Sequence, residues 1–305
     1  MSTLTRRQAL AAGAAMPLVA ATGAPGFAMT EKKGASNAIH RRITLGDFEI
    51  TTLLAGTAVR DEIQTIFGMN VSPEEFQQVS DANFIPADKA QFFFTPTLVN
   101  TGSEVILFDT GLNQAGITAA LAEAGYAPSD IDTVVITHMH GDHIGGLMDG
   151  DDETFAGASY VTGAIEHNHW AAAGNERFDQ KVAPLNDKFT FLDDGGSVAS
   201  GVTATAAFGH TPGHMTYRIE SGGQSMMLIA DLANHPVWSL ARPDWEVRFD
   251  MDKAGAAASR RNILATIADE RMPMIGYHMP FPAIGYVATR GDGFEFVPHS
   301  YQLAL

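Results

Sequence analysis

Residues 134–143 read Val134-Val135-Ile136-Thr137-His138-Met139-His140-Gly141-Asp142-His143. The first four are β-branched, as in a short buried strand. The strand then gives way to His138, His140, Asp142 and His143, an H-x-H-x-D-H pattern followed by Gly145 and Gly146. Imidazoles and carboxylates are strong ligands for divalent metals. Alternation places His138 and His140 on the same side of the chain, and a turn through Gly141 carries Asp142 and His143 to a second position. Four ligating side chains in six residues exceed what one open metal site uses, so the run predicts two adjacent metals.

The rest of the chain limits what such a centre can serve. At 305 residues and 45% hydrophobic content, it can form one large layered domain or two small ones. It contains no cysteine, so any metal must be held by His and Asp. The net charge of −16 argues against a nucleic-acid partner, whose phosphates need a basic footprint. A small-molecule substrate is expected instead, and among oligomeric states a homodimer is left open.

Arg6-Arg7 precede an Ala-rich apolar run through Ala21, and Gly26-Phe27-Ala28 offers a small-residue cleavage site. Residues 1–28 resemble a twin-arginine export signal, which implies a periplasmic location. A membrane span is not expected, because the run is short and broken by Gly13, Pro17 and Gly23. Residues 29–41, polar and basic, read as a linker to a domain covering 42–305.

Along that domain, Ile43 to Ala58 reads as a hairpin around Gly46-Asp47. Ser72-Pro73 marks a capped helix start. The surrounding segment from Arg60 to Lys89, carrying Ile63, Ile66 and Phe67, reads equally as a lid or as a satellite cluster of core. Strands are expected over Gln91–Asn100, Glu104–Asp109, Ser159–Thr162, Phe189–Leu192, Val202–Phe208, Met215–Glu220, Ser225–Ala230 and Met274–Tyr277, with helices over 116–124, 164–173 and 251–270. His167 and His169 lie two apart on a helix and do not share a face, so they are not read as ligands. Trp170 reads equally as pocket wall or core. His235, Trp238 and Trp245 fall in a loop where they can meet substrate.

The H-x-H-x-D-H run resembles the signature of the metallo-β-lactamase-fold hydrolases. That resemblance implies an α/β four-layer architecture, αββα, with two mixed sheets packed face to face and helices outside. It also implies the remaining ligands. Gly209-His210-Thr211-Pro212-Gly213-His214 matches the family's next ligand element, with His214 as the ligand and His210 as a structural hydrogen-bonder. Asp231, at a strand end, takes the bridging position, and His278 takes the last. The first metal is then held by His138, His140 and His214, the second by Asp142, His143 and His278, with Asp231 and a water or hydroxide shared between them. Asp109, in Asp109-Thr110-Gly111, is implied as a partner that orients a ligand His. Two divalent ions are expected; zinc suits the set best, and iron, manganese, cobalt or nickel fit the same ligands.

Such a centre implies hydrolysis at an electrophilic carbonyl or phosphorus, with Asp142 or Asp231 relaying a proton. Residues 136–148 and Phe281-Pro282-Ala283-Ile284-Gly285-Tyr286 resemble the methyl parathion hydrolase-like branch and its neighbours, the N-acyl-homoserine lactone lactonases. The branch implies a lactone or ester substrate, N-acyl-homoserine lactones first (quorum quenching), with side activity on aryl esters and organophosphates; a dedicated organophosphate triesterase is the alternative. Some lactonases resembling this chain place a Tyr a few residues after the bridging Asp, to assist the carbonyl. Here Leu232-Ala233-Asn234-His235 follow, leaving the metals or His235 to polarise the carbonyl. β-Lactamases, glyoxalase II-like thioesterases and nucleases fit less well.

Overall fold

The strand ending in the H-x-H-x-D-H run lies mid-sheet, buried on both faces. In a computed structural model describing residues 38–300, it is Thr133–Ile136. Before it in the chain come β1 (His40–Leu45), β2 (Phe48–Leu53), β3 (Gly56–Asp61), α1 (Pro73–Ala82), β4 (Lys89–Phe94), β5 (Thr97–Asn100), β6 (Val105–Phe108) and α2 (Gln114–Glu123). The strand itself is β7. It is followed by α3 (Gly141–Ile144), the two-residue β8 (Met148–Asp149) and β9 (Asp152–Glu153), β10 (Ser159–Gly163), α4 (Ala164–Ala172), α5 (Glu176–Lys181) and β11 (Phe189–Leu192). The chain continues as β12 (Ser197–Ala199), β13 (Val202–Ala206), β14 (Met215–Ser221), β15 (Gln224–Ala230), α6 (Lys253–Asp269), β16 (Met274–Gly276), β17 (Ile284–Arg290) and β18 (Gly293–Pro298). The export signal and residues 29–37 of the expected linker lie outside the described residues. Strand β1 begins inside that linker, at His40.

Two seven-stranded sheets result, in the orders β1-β2-β5-β6-β7-β10-β11 and β12-β13-β14-β15-β16-β17-β18. Both are mixed. In the first, β7 runs parallel to β6 and β10, while β5 and β6 are antiparallel. In the second, only β15 and β16 are parallel.

Period-two alternation explains the layering. Val135 of β7 points inward with Ile106, Phe108 and Val161, and meets Tyr217, Ile229 and Ile275 of the second sheet. Val134 and Ile136 point outward with Leu107 and Tyr160, where Ile117 and Leu121 of α2 and Phe178 of α5 cover them. Helix α6 sends Leu264 and Ile267 onto the second sheet. The order is helix, sheet, sheet, helix. A strand with parallel neighbours and both faces covered is expected to be apolar throughout, and each such side chain contributes roughly 1.5–3 kcal/mol of transfer free energy.

The segment between β3 and β4 builds a satellite core. The β3–β4 ribbon and α1, which Ser72 caps by accepting from Glu75 N, enclose Phe67, Phe76 and Phe92 with Trp238 and Trp245. The Trp238 indole donates to Ser80 Oγ at 3.0 Å and stacks on Phe76. Trp238 and Trp245, expected to meet substrate, are therefore interior residues.

Candidate metal centre

Strand ends set the centre. At the end of β6, Asp109 adopts a left-handed backbone with φ 60°. Its carboxylate accepts Thr137 N and Thr137 Oγ1, each at 2.9 Å, just beyond β7. Oδ2 also accepts from His143 Nδ1 at 2.9 Å. At the end of β15, Ala230 has φ 46° beside a register shift against β16, and the next residue is Asp231. Such conformations cost about 1–3 kcal/mol each and persist where their surroundings fix them. Here both aim a carboxylate.

The described residues bring together His138, His140, His210 and Asp231 in one cluster, and Asp142, His143 and His278 in another. In the first, His140 Nδ1 lies 3.2 Å from His138 Nε2 and 3.0 Å from His210 Nε2, and Asp231 Oδ2 lies 3.3 Å from His210 Nε2. In the second, His278 Nε2 is 3.3 Å from Asp142 Oδ2. Asp231 joins the two, with Oδ1 3.3 Å from His143 Nε2 and Oδ2 3.2 Å from His278 Nε2. Ligands bonded at roughly 2.0–2.1 Å in a tetrahedron stand about 3.3 Å apart, so these spacings suit metal coordination. His143 Nε2 and Asp231 Oδ1 are buried with no hydrogen-bond partner among the described residues, a costly state unless a cation satisfies them. The residues fit a dinuclear metal site.

In the metal-free cage, burial and the neighbouring carboxylates pull the histidines in opposite directions. Burial opposes the Asp231 charge, but His278 and His143 outweigh it and hold its carboxyl well below the usual range. Burial and neighbouring imidazoles push His140 down to about 3. Burial would also depress His210, but hydrogen bonds to Asp231 and Asp250 raise it to about 9.

One expected ligand is corrected. His210, not His214, joins the first cluster. His210 donates its rear nitrogen, Nδ1, to Asp250 Oδ1 at 2.9 Å, leaving Nε2 for the cluster. His214 pairs Nδ1 with Ala207 O at 3.1 Å, so its Nε2 lone pair accepts from Asp231 N at 3.2 Å. That lone pair is occupied. His214 holds the Asp231 backbone, and the structural and ligating roles expected of the two histidines are exchanged.

Residues 95–269 match the family described as the metallo-beta-lactamase superfamily. The chain belongs to this superfamily. Among solved members, AidC, a dizinc quorum-quenching lactonase in complex with a product, is 28% identical with a TM-score of 0.80, covering 86% of this chain and 98% of that one. The N-acyl homoserine lactonase of Bacillus cereus is 26% identical over 113 residues, 37% of this chain and 42% of that protein. Exodeoxyribonuclease WalJ of Streptococcus pneumoniae serotype 2 is 43% identical over 49 residues, 16% of this chain and 18% of that protein. The chain spans less than half the length of the curated relatives it matches.

Above this superfamily's ligand clusters lies a cavity of about 310 Å³. Phe92, Phe94, Leu112 and Phe249 form apolar walls, Asp142, Asp231 and His278 the floor, and Arg60 and Arg177 the polar rim. Arg177 lies so close over Gly141 that a Cβ there would overlap its guanidinium. His235 does not line this cavity. Its Nδ1 accepts from Val237 N and Trp238 N at 3.1 and 3.2 Å, and its ring stacks on Trp238 at 4.0 Å. The expected catalytic role of His235 is therefore replaced by a capping one. Trp170 sits edge-on to His140 with ring centroids 5.9 Å apart.

Sequence reasoning also missed several supporting residues. Asn234 Nδ2 donates to Asp231 Oδ2 at 2.8 Å, and Tyr277 donates to Asp142 O at 2.5 Å. Buried Arg260 donates to Asp250 Oδ2 at 2.8 Å. The lone signal for Tyr277 was its place beside His278; Asp250 and Arg260 carried none.

Proposed function

We propose that this chain is a two-metal hydrolase that opens lactones, N-acyl-homoserine lactones first. The observation that carries this reading is the Asp231 carboxylate, shared between two imidazole clusters under an apolar cavity. One cation would be held by His138, His140 and His210, a second by Asp142, His143 and His278, with Asp231 common to both. Zinc suits this nitrogen-rich set. When bound, such ions polarise a carbonyl and lower the pKa of water to about 7.

The protein's own groups do the rest. Phe92, Phe94, Leu112 and Phe249 bind an acyl chain and exclude water from the floor. No tyrosine lines the cavity among the described residues, so Arg177 and Arg60 provide N–H donors for the polar head of the substrate. Asp142, partly exposed at the floor as a carboxylate, takes the proton from the water whose oxygen bonds to the lactone carbonyl carbon, and passes it to the alkoxide that leaves when the ring C–O bond breaks. Aryl esters and organophosphate triesters would be side substrates. The similarity to AidC supports the lactone reading. We further propose that residues 1–28 direct export to the periplasm.

Turnover of a long-chain acyl lactone, measured beside an aryl phosphotriester on protein of known metal content, tests the assignment. Lactone opening is expected to dominate. A preference of several decades for the phosphotriester would overturn it.

A further inference from the structure

Glu166, in the first turn of α4, is fully buried and takes no part in either ligand cluster. Its carboxylate is saturated from four directions. Oε1 accepts Met139 N at 2.8 Å and Trp170 Nε1 at 2.6 Å. Oε2 accepts Thr211 Oγ1 at 2.7 Å and Gly213 N at 2.9 Å. Met139 lies between His138 and His140, while Thr211 and Gly213 directly follow His210. One carboxylate therefore ties together the two loops that supply all three imidazoles of the first cluster. Gly213 packs on the Glu166 backbone so closely that any Cβ would overlap it, so only glycine lets the loop come this near the carboxylate.

The second cluster is held by other groups. Asp109 orients His143, Phe93 O accepts from His278 Nδ1 at 2.8 Å, and Tyr277 fixes Asp142 O. None of these contacts passes through Glu166.

The geometry points to Glu166 as a positioning residue that sets the affinity of one metal site and not the other. This inference rests on the two-metal reading. Its chemistry requires a carboxylate. Both oxygens accept two donors each, and ionised Glu is acceptor-only. A glutamine of the same shape has one oxygen; its amide N–H groups would face the donors of one loop, and a backbone N–H cannot reverse its role. That loop must move or leave a buried donor unsatisfied.

The test is zinc affinity, measured by chelator competition on the whole chain, in two backgrounds that each leave one site. His278→Ala leaves the first cluster and His210→Ala the second. Glu166→Gln is expected to weaken zinc about 10-fold or more in the His278→Ala background, the scale of losing a group that orients a ligand. In the His210→Ala background, zinc affinity is expected to hold within roughly threefold, well inside that scale. Thr211→Val, which removes one of the four bonds, gives a smaller loss in the same direction and serves if Glu166→Gln fails to fold. Equal weakening of both sites, or of neither, would overturn the proposal. Fewer than two zinc ions on the wild-type chain would overturn it together with the two-metal reading.

Discussion

The two halves of the metal centre are braced from behind in different ways. His143 leans on Asp109, whose other contacts are the N–H and hydroxyl of Thr137. No Arg or Lys backs that carboxylate among the described residues; burial pushes its pKa up, and the His143 imidazole beside it only partly offsets this. His210 leans on Asp250, which also accepts from buried Arg260, and that pair holds Asp250 below its usual range despite burial. Arg260 in turn donates to Leu232 O and Pro243 O. The first brace is a product of strand register between β6 and β7. The second is an ion pair between α6 and an irregular segment. One half of the centre thus rests on the sheet, the other on a charge network that must assemble around it.

Ligand identity gives the largest expected effect. Asp231→Asn and His210→Ala are each expected to cut turnover by about 10³-fold, as the loss of a metal's charge stabilisation and activated water would. His210→Ala should also lower zinc content to one per chain. His214→Ala should keep two zinc ions and lose about 10-fold, the low end of the range for a group that orients a ligand. Zinc content and turnover measured together decide this. If His214→Ala, and not His210→Ala, emptied a site, the exchange of roles between these histidines would be wrong.

The braces themselves come next. Asp250→Asn and Asp109→Asn are each expected to lower metal affinity about 10–100-fold. They should differ in stability. Asp250→Asn leaves Arg260 as a buried unpaired charge, which costs about 3–5 kcal/mol. Asp109→Asn removes a charge that burial already disfavours, so metal-free protein should lose far less. Urea unfolding of the two chelated variants sharpens the contrast, and equal losses would erase it. A smaller effect is expected at the cavity rim. Arg177→Gln should raise KM for an acyl lactone about fivefold, the worth of roughly 1 kcal/mol of hydrogen bonding, with kcat little changed.

The same contrast explains what could be read in advance. β7 and its H-x-H-x-D-H ending are encoded within one short stretch, because alternation is local, while the role of Asp109 followed from the family resemblance. The layered architecture followed from the resemblance these residues carry. His210 and His214 share one motif and one residue type. Which of them ligates depends on which imidazole has a carboxylate behind it, and Asp250 lies forty residues away. Glu166 was hidden for a similar reason: an acid in the first turn of a helix is ordinary, and only tertiary packing aims it at two loops. His235, Trp238 and Trp245 looked like substrate contacts because they follow Asp231. The satellite core that buries the two tryptophans and packs Phe67 against His235 is built by residues 60–94, well over a hundred positions earlier.

A pH effect, with no change in turnover required, separates metal-free from loaded protein. In the chelated chain, His210 is raised to about 9 and His278 to about 10, because Asp231, with Asp250 or Asp142, outweighs burial. A histidine raised by its partners stabilises the fold fully below the unfolded value near 6.5, and that contribution fades as pH rises through the folded value. The melting temperature of chelated protein should therefore fall by roughly 5–10 °C between pH 6.5 and 10, in keeping with a few kcal/mol in a chain of this size. Loaded protein should not follow it, because a metal ligand imidazole is already neutral and binding has released those protons. Zinc affinity should rise over the same interval. A chelated protein whose melting is flat across that window would mean that His210 and His278 are neutral without metal, and that Asp231 and Asp250 are balanced by other charges.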